Sequence, residues 1–372
     1  MNRTCDVVVL GAGISGLSAA RELALRGLGV VVLERDDPGS HASTAAAGIL
    51  AARAVVRSEV PGRMFYTRSL DAYAEWTARL CAESGVAVPL RTGDDWCLLH
   101  PGGRADRFRQ RLERESDASR WEEAVRVPSG LAGAVSDRPW RIFRFAEERW
   151  CAPSDLMAAL LGSVRRAGVE VIDRAGLPGL ERTASGWAVS VEGSKIEASV
   201  AVVAAGPWTG QILSTLGWRA NLVPVRGQLA LVPRLHGLEA MVHLEDTFYA
   251  VPRGDRTLVG ATVEHGQWDE TTTPKGLAEL QDRMRILFPR LDLSKADRVW
   301  AGIRPRTRDR VPHLGWLEPG RLLVASGHYR SGISMAARNG EVVADLIEGK
   351  AVDEDVPCMS PLRRGGGYRR TE

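Results

Sequence analysis

A glycine-rich turn near the start of the chain limits the possible folds more than any other feature. The apolar run Asp6–Leu10 predicts a strand that is buried on both faces. It leads into Gly11-Ala12-Gly13-Ile14-Ser15-Gly16, and the Ala- and Leu-rich stretch that follows to Arg26 predicts a helix. Gly29–Glu34 predicts a second buried strand. Strand, turn, helix and strand in this order indicate a βαβ unit, whose two strands run parallel.

The turn has the G-x-G-x-x-G spacing of dinucleotide-binding proteins. Gly11 permits the tight turn, Gly13 lets the backbone approach a pyrophosphate, and Gly16 lets the helix pack closely on the strand. The helix that starts at Ile14 and Ser15 offers unpaired N–H groups to the pyrophosphate. Glu34, which precedes Arg35, ends the second strand and can accept hydrogen bonds from ribose hydroxyls. The alternative is a glycine-rich turn without a ligand.

The motif alone does not distinguish FAD from NAD. The tract Gly39–Leu50, GSHASTAAAGIL, is made almost entirely of small residues. Small side chains let the backbone approach a bulky planar ligand, and the hydroxyls of Ser43 and Thr44 can face phosphates. The tract therefore favours a flavin, although a small-residue surface for helix packing is the alternative.

Composition excludes several other classes of protein. The net charge of the 372 residues is only +3, which gives no reason to expect a nucleic-acid partner. Five Cys without a CxxC pair argue against a disulfide framework and a structural zinc site, and no metal site is expected. No apolar run is long enough to span a membrane, and a strand is predicted within about five residues of Met1. A cytoplasmic protein without a signal peptide is therefore expected.

The order of strand types predicts an α/β fold with two interleaved domains. Buried strands are predicted at 5–10, 29–34, 199–205 and 322–326, and alternating strands between 220 and 265. We therefore expect a Rossmann-type FAD-binding domain interleaved with an α+β substrate domain that contains a large antiparallel sheet. The first is assigned 1–84, 151–219 and 300–361, the second 85–150 and 220–299, and the tail 362–372 is predicted to be disordered. Helices are predicted at 63–84, 104–115, 153–167, 274–287 and 332–348.

Motifs along nearly the whole chain resemble the D-amino-acid oxidase superfamily of flavoproteins, and within it most closely the glycine oxidases. The segments that carry the resemblance are VVVLGAGISGLSAARELALRG, STAAAGIL, VVAAGPW, PVRGQ, FYAVPR, LVGATVEHGQWDE, VWAGIRPRTRD and ASGHYRSGISMA. The resemblance implies FAD bound in an extended form under an eight-stranded antiparallel sheet. It also implies oxidation of small amines or amino acids by O₂. Relatives that tether FAD do so through a Cys near 301–307, and this chain has none between Cys151 and Cys358, so noncovalent FAD is expected.

The resemblance also assigns residues to the cofactor and the substrate. The expected FAD contacts are Gly11, Gly13, Ile14, Ser15, Gly16, Glu34, Arg35, Ser43, Thr44, Ala46, Ala47, Gly48, Leu177, Gly206, Trp208, Arg304, Arg330, Gly332, Ile333 and Ser334. The expected substrate pocket consists of Ile49, Thr247, Tyr249, Val263, Arg304 and Arg330. Among these, Ile49 and Val263 replace Met, and Thr247 replaces a His, of typical glycine oxidases, which leaves the substrate side chain open.

Arg304, Tyr249 and Arg330 are the candidate catalytic residues. Arg304 and Tyr249 match the family's binding site for the substrate carboxylate, and an Arg at a strand end can hold a carboxylate through two parallel hydrogen bonds. Because 45 of the 49 basic residues are Arg, a structural ion pair is the usual alternative for Arg304. Tyr249 could instead be a core residue, and Arg330 could pair with protein.

The activity expected from this resemblance is oxidative deamination of a small amine or amino acid, of the glycine, sarcosine or D-amino-acid type. Hydride passes to flavin N5, and O₂ reoxidises the flavin and gives H₂O₂. The alternatives are a dehydrogenase that passes electrons to a carrier, a tailoring oxidase of a specialised pathway, and a degenerate flavin-binding subunit. The role could lie in thiamine biosynthesis. The expected partners are a carboxylate-bearing substrate and O₂, and a monomer and a homo-oligomer are both left open.

Overall fold

The computed structural model of the chain describes residues 3–51, 62–115, 120–128, 131, 134–191, 194–245 and 248–370. Its helices include Ile14–Leu25, Ala42–Ala45, Arg63–Asp71, Tyr73–Ser84, Gly103–Glu115, Pro153–Arg166, Thr209–Ser214, Pro274–Leu287 and Gly332–Ile347. Short 3₁₀ turns lie at Gly206–Trp208, Leu293–Lys295 and Pro357–Met359. The single helix predicted at 63–84 is interrupted at Ala72, so two helices form instead of one. No helix in the described part of the chain is long and apolar enough to cross a membrane.

The first sheet contains the buried strands that the sequence predicts. In spatial order its main path is His313–Glu318, Leu322–Ser326, Ser194–Val203, Arg3–Leu10, Val30–Leu33 and Glu170–Ile172. Off this path, Trp187–Val191 pairs antiparallel with the first half of Ser194–Val203, and Leu180–Arg182 pairs with Trp187–Val191. The five strands of this path from Leu322–Ser326 to Glu170–Ile172 run parallel. Their carboxyl ends therefore meet at one edge, where ligands bind in sheets of this type. The helices Ile14–Leu25 and Gly332–Ile347 pack against each other on one face of this sheet.

The second sheet is larger and mostly antiparallel. Its main path is Glu264–His265, Leu222–Pro233, Arg256–Gly260, Phe248–Arg253, Met241–Leu244, Arg91–Leu99, Arg141–Trp150 and Ile49–Leu50. Arg298–Thr307 joins it beside Leu222–Pro233, and Trp121–Ala124 beside Arg141–Trp150. The expectation of eight antiparallel strands is thus wrong in two respects. Ten described strands form the sheet, and Met241–Leu244 runs parallel to Arg91–Leu99.

Two strands of the second sheet come from segments assigned by sequence to the FAD-binding domain. Ile49–Leu50 pairs with Arg141–Trp150, and most of Arg298–Thr307 lies beyond the predicted boundary at 300. Both strands lead directly into the space between the sheets, so this connection positions the site described below. The division of the chain into two domains at the stated boundaries stays a prediction.

The prediction of a disordered tail is wrong for residues 362–370. Arg369–Arg370 pairs with Trp218–Arg219 in a short sheet, and Tyr368 is only 4% exposed. Arg363 donates to both carboxylate oxygens of Asp309, at 2.8 and 2.9 Å. The Arg- and Gly-rich composition suggested disorder, but one aromatic ring in the core and one bidentate ion pair hold this segment on the fold.

Candidate active site

The glycine-rich turn has the tight backbone that its sequence predicts. Gly11 has φ +111°, and a Cβ there would lie 2.6 Å from the Ala204 carbonyl oxygen. A Cβ at Gly16 would lie 1.9 Å from the Gly11 carbonyl oxygen, so helix and turn touch at this position. The N–H of Ile14, in the first turn of the helix, donates to Ser43 Oγ at 2.9 Å. A hydroxyl thus lies at the helix N-terminus, where an anionic ligand is favoured.

Glu34 is buried at the end of the strand Val30–Leu33, beside the turn. Its two carboxylate oxygens accept the N–H groups of Ala12, at 2.6 Å, and Asp36, at 3.1 Å. These bonds fix the carboxylate at the edge of the sheet, and each oxygen keeps a further lone pair for a ribose hydroxyl.

Arg35, Trp208 and His41 form a stacked group next to Glu34. The Arg35 guanidinium lies 3.9 Å from the centre of a Trp208 ring, and the His41 ring lies 4.7 Å from Trp208. His41 bonds to Asp36 at 2.8 Å and, from the second sheet's side, to Glu270 at 2.6 Å. Burial disfavours the charged imidazole, but the two carboxylates outweigh it and raise the pKa of His41.

Two side chains from the second sheet hold the small-residue tract by donating hydrogen bonds to its backbone carbonyls. Residues of the tract also line the cavity between the two sheets. Trp300 Nε1 donates to the Ala45 carbonyl at 3.2 Å, and Arg253 donates to the Ala47 carbonyl. Gly48 has φ +67°, and a Cβ there would lie 2.0 Å from the Cys151 carbonyl oxygen. Burial lowers the pKa of Arg253 to about 10.

The N-terminus of the helix Gly332–Ile347 points at the same space. Gly332, Ile333 and Ser334 line it, and Ser334 Oγ donates to the Ile49 carbonyl at 3.2 Å. The first-turn N–H groups of this helix favour negative charge on a ligand. Burial lowers the pKa of His328, just before the helix, to about 4, so this imidazole is neutral at physiological pH.

Arg304 and Tyr249 lie together at the end of the space formed by the second sheet. The Arg304 guanidinium donates to the Thr262 carbonyl at 3.2 Å and interacts with the Tyr249 phenol. Two glycines make room for these side chains. A Cβ at Gly227 would lie 2.1 Å from the guanidinium, and one at Gly260 would lie 2.8 Å from the Tyr249 hydroxyl.

The charge of Arg304 has no carboxylate counter-ion within the described residues. Burial lowers the pKa of Arg304, and the nearby Arg330 lowers it further. Burial also raises the pKa of Tyr249, so its phenol keeps the proton that it can donate. A buried guanidinium without an acidic partner favours an anionic ligand, because an unpaired buried charge is costly.

Most of the predicted site residues line one continuous cavity. They are Gly11, Gly13, Ile14, Ser15, Glu34, Arg35, Ser43, Ala46, Ala47, Gly48, Ile49, Leu177, Gly206, Trp208, Tyr249, Arg304, Arg330, Gly332, Ile333 and Ser334. The cavity runs from the turn, past the small-residue tract, to Arg304. A dinucleotide can therefore lie at one end and a small carboxylate at the other. The roles of the individual residues stay predictions.

Three predicted residues do not line the cavity. Gly16 instead lets the helix pack closely on the turn at Gly11. Thr44 Oγ1 donates a hydrogen bond to the Gly39 carbonyl at 2.8 Å. Val263 follows the Thr262 carbonyl that holds Arg304, but its own side chain is not part of the lining. Thr247 lies outside the described residues.

Several residues of the site were not predicted from the sequence. His41, His243 and Glu245 line the cavity. Arg253 donates a hydrogen bond to the Ala47 carbonyl of the small-residue tract. His243 Nδ1 lies 2.6 Å from Asp95 Oδ1, across 148 residues of sequence. Sequence signals existed for two of them: Arg253 ends the FYAVPR segment that also contains Tyr249, and His41 lies within the tract Gly39–Leu50.

The residues present fit FAD. Gly13 lines the cavity, and a Cβ there would lie 3.3 Å from Ser43 Oγ at the helix N-terminus. The two helix N-termini suit the pyrophosphate and an electron-rich ring edge, and the small-residue tract leaves room for a flat ring. The cavity also continues beyond the tract to Arg304, which gives space for a substrate next to the ring.

Comparison with known families agrees with this geometry. The family model described as FAD dependent oxidoreductase matches residues 6–346. The chain belongs to this family. Like its members it depends on FAD.

Relatives of known name match over most of the chain. A glycine oxidase from Bacillus licheniformis is 32% identical over 365 residues, 95% of each chain. The Bifunctional protein ThiO/ThiG from Trichormus variabilis is 32% identical over 354 residues, 92% of this chain and 53% of that protein. The crystal structure of glycine oxidase from Geobacillus kaustophilus superposes with a TM-score of 0.89 at 27% identity, over 98% of this chain and all of that one.

Proposed function

We propose that this FAD-dependent oxidoreductase oxidises the Cα–N bond of a small amino acid, of the glycine, sarcosine or D-amino-acid type, with O₂ as the final electron acceptor. The observation that supports this most is the buried guanidinium of Arg304, which lies at the far end of the FAD cavity with no carboxylate counter-ion among the described residues. Similarity to glycine oxidases over nearly the whole chain supports the same substrate class.

Arg304 and Tyr249 bind the substrate carboxylate in this proposal. The guanidinium offers a planar pair of N–H donors, and the phenol adds one O–H donor from the neighbouring side. Since Gly227 and Gly260 fix where both side chains lie, the carboxylate is held in one orientation. The rest of the substrate then extends toward the small-residue tract, where the flavin ring fits.

FAD bound in the cavity would supply the two-electron chemistry, namely uptake of the α-carbon hydride and transfer of the electrons to O₂ to give H₂O₂. The chain contributes orientation, a cavity bordered by apolar residues such as Leu229 and Ala261, and the positive end of the helix that starts at Gly332. The resulting imine is hydrolysed to an α-keto acid and ammonia when the substrate is a primary amino acid, with glyoxylate as the acid from glycine, and to glyoxylate and methylamine when it is sarcosine.

A substrate panel tests this proposal. The purified yellow holoenzyme is mixed anaerobically with glycine, sarcosine, D-alanine, D-proline or L-alanine, and flavin absorbance near 450 nm is followed. The same mixtures in air are assayed for H₂O₂. Bleaching by at least one of these amino acids together with peroxide release is expected. Bleaching without peroxide would replace O₂ by another electron acceptor, and no bleaching by any of them would contradict the amino-acid assignment.

A further inference from the structure

The pairing of one strand of the second sheet is irregular where it borders the substrate end of the cavity. Pairing with Leu222–Pro233 continues as far as Gly260 and resumes at Glu264. Between these positions, residues 261–263 lie opposite only residues 227 and 228. The extra residue makes a β-bulge, a feature that is common next to active sites and changes the direction of local groups. Ala261 lines the cavity, so the bulge borders the site directly.

Thr262, in the centre of this bulge, pairs with Gln228 through its side chain. Its N–H donates to the Gln228 carbonyl at 3.3 Å, as in a regular antiparallel pair. In such a pair the partner's N–H would donate in return to the Thr262 carbonyl. Here the Gln228 N–H donates to Thr262 Oγ1 instead, at 2.9 Å. The hydroxyl thus replaces the carbonyl in the sheet, and the carbonyl can accept another donor.

That donor is the guanidinium of Arg304. Its Nη1 donates to the Thr262 carbonyl at 3.2 Å, which uses one of the five N–H groups that an arginine offers. Thr262 is 0% exposed, so this bond is shielded from solvent. A carbonyl carries no net charge. The bond therefore restrains the guanidinium without neutralising it, and the positive charge stays available to an anionic ligand.

Glu264 fixes the direction of the Thr262 hydroxyl. Thr262 Oγ1 donates its hydrogen to Glu264 Oε1 at 2.7 Å, which leaves its lone pairs for the Gln228 N–H. The same carboxylate accepts hydrogen bonds from Gln228 Nε2 at 2.8 Å and from Arg226 Nη2 at 2.7 Å. Burial opposes the ionisation of Glu264, but the hydrogen bonds from these three side chains outweigh it and lower its pKa. Glu264 is therefore ionised at neutral pH and acts only as an acceptor.

We propose that Thr262 is a positioning residue that holds Arg304 in place for the substrate carboxylate. This role rests on the proposed amino-acid substrate. An arginine side chain has many rotamers, and ordering it during binding costs free energy. Because the Thr262 carbonyl already restrains the guanidinium, the carboxylate meets donors that are in place. Without the hydroxyl, the Gln228 N–H takes the carbonyl as its acceptor, and Arg304 loses this bond.

Four forms of the holoenzyme test this role: wild type, Thr262→Val, Thr262→Ser and Thr257→Val. Valine has the shape of threonine without its hydroxyl, and serine keeps the hydroxyl. Thr257 is the matched control, because it is also 0% exposed, lies on the strand Arg256–Gly260 of the same sheet, and accepts the Leu235 N–H through its hydroxyl at 3.1 Å. Acetate is the probe, since it has a carboxylate but no amine to oxidise. Its binding is followed by the change in flavin absorbance.

We expect Thr262→Val to bind acetate about tenfold more weakly than wild type, because a hydrogen bond to a charged donor is lost. KM for the best amino-acid substrate should rise by a similar factor with kcat nearly unchanged, as for a contact that holds substrate and transition state equally. Thr262→Ser should restore the wild-type affinity. Thr257→Val should lower the melting temperature but leave the affinity for acetate as it is.

Equal acetate affinity in Thr262→Val and wild type would refute the proposal. An equal loss in Thr262→Ser or in Thr257→Val would also refute it, because the hydroxyl beside Arg304 would then have no specific effect. Thr262→Ala, which also lacks the hydroxyl, provides the same comparison if the Val variant does not fold with FAD.

The wild-type enzyme separates this role from the proposed function. If wild type binds acetate and is reduced by an amino acid while the pattern of the variants is missing, the proposed function stands and the role of Thr262 does not. If wild type binds no acetate, the role of Thr262 fails. Reduction of its flavin by an amino acid would then show that the proposed function stands, and no reduction would show that the proposed function is wrong as well.

Discussion

Replacing Gly227 by Ala should displace Arg304 without removing it. A Cβ at this position would lie 2.1 Å from the Arg304 guanidinium. Nonbonded heavy atoms settle at about 3.5 Å, so the guanidinium must retreat by roughly 1.4 Å. The obstacle is the mobile end of a side chain and not backbone, so the variant should still fold and bind FAD.

The consequence for catalysis follows from that displacement. A misplacement of about 1 Å costs up to about 100-fold in rate when it disturbs the alignment of the reacting groups. We therefore expect kcat/KM for the amino-acid substrate to fall about 100-fold, which corresponds to about 2.7 kcal/mol of lost transition-state stabilisation. FAD content and melting temperature should stay close to those of the wild type.

Steady-state kinetics with peroxide detection measures this loss, with flavin content determined on the same preparation. Gly103→Ala is the matched control, because Gly103 begins an exposed helix and its added Cβ meets only the end of Arg107, at 3.4 Å. A Gly227→Ala enzyme with full flavin content and kcat/KM within threefold of wild type would refute the claim that Arg304 holds the substrate from its observed position.

Four further predictions concern the cofactor and the stability of the fold. Glu34→Ala should weaken FAD binding by about 1.5–3 kcal/mol, measured by flavin fluorescence titration, because a charged hydrogen-bond acceptor is lost; equal affinity would contradict the ribose assignment. Heat or acid should release FAD into the supernatant, and flavin retained by the precipitate would contradict noncovalent binding. The pKa of His41 is raised, so its ion pairs with Glu270 and Asp36 stabilise the fold fully below about pH 6.5 and are lost as the pH rises through the raised pKa. His41→Gln should therefore lower the melting temperature more at pH 6 than at pH 9. An equal loss at both pH values would argue against these ion pairs. Tyr368→Ala should lower the free energy of unfolding by about 3 kcal/mol, measured by denaturant titration, since a buried aromatic side chain is removed; an unchanged value would mean that the tail adds nothing to the fold.

The sequence predicts well those elements whose structure depends on neighbouring residues in the chain. The strand Arg3–Leu10, the turn at Gly11 and the helix Ile14–Leu25 follow each other directly, and each needs a particular residue type at a particular place. The small-residue tract is likewise continuous in sequence. These elements lie where expected because their contacts are short-range or require glycine.

The parts that were missed depend on contacts between distant segments. Arg91–Leu99 runs beside Met241–Leu244, a pairing that no local pattern indicates, and the Asp95–His243 bond depends on it. The contact between His41 and Glu270 spans 229 residues. The tail was predicted to be disordered from its Arg- and Gly-rich composition. Its order depends on a single aromatic residue, Tyr368, whose ring centre lies 4.6 Å from that of His313.

The most direct test of the central claim, that a carboxylate substrate binds to Arg304 beside FAD, is the kinetic comparison of Arg304→Ala with Arg298→Ala. Arg298 begins the same strand and is exposed, so its variant controls for the loss of an arginine. Losing one partner of a buried charge pair costs about 2–5 kcal/mol, and kcat/KM of Arg304→Ala should therefore fall about 30-fold to several-thousand-fold with FAD content unchanged. Arg298→Ala should match wild type. Undiminished kcat/KM on an amino acid in an Arg304→Ala enzyme that retains its flavin would contradict the account.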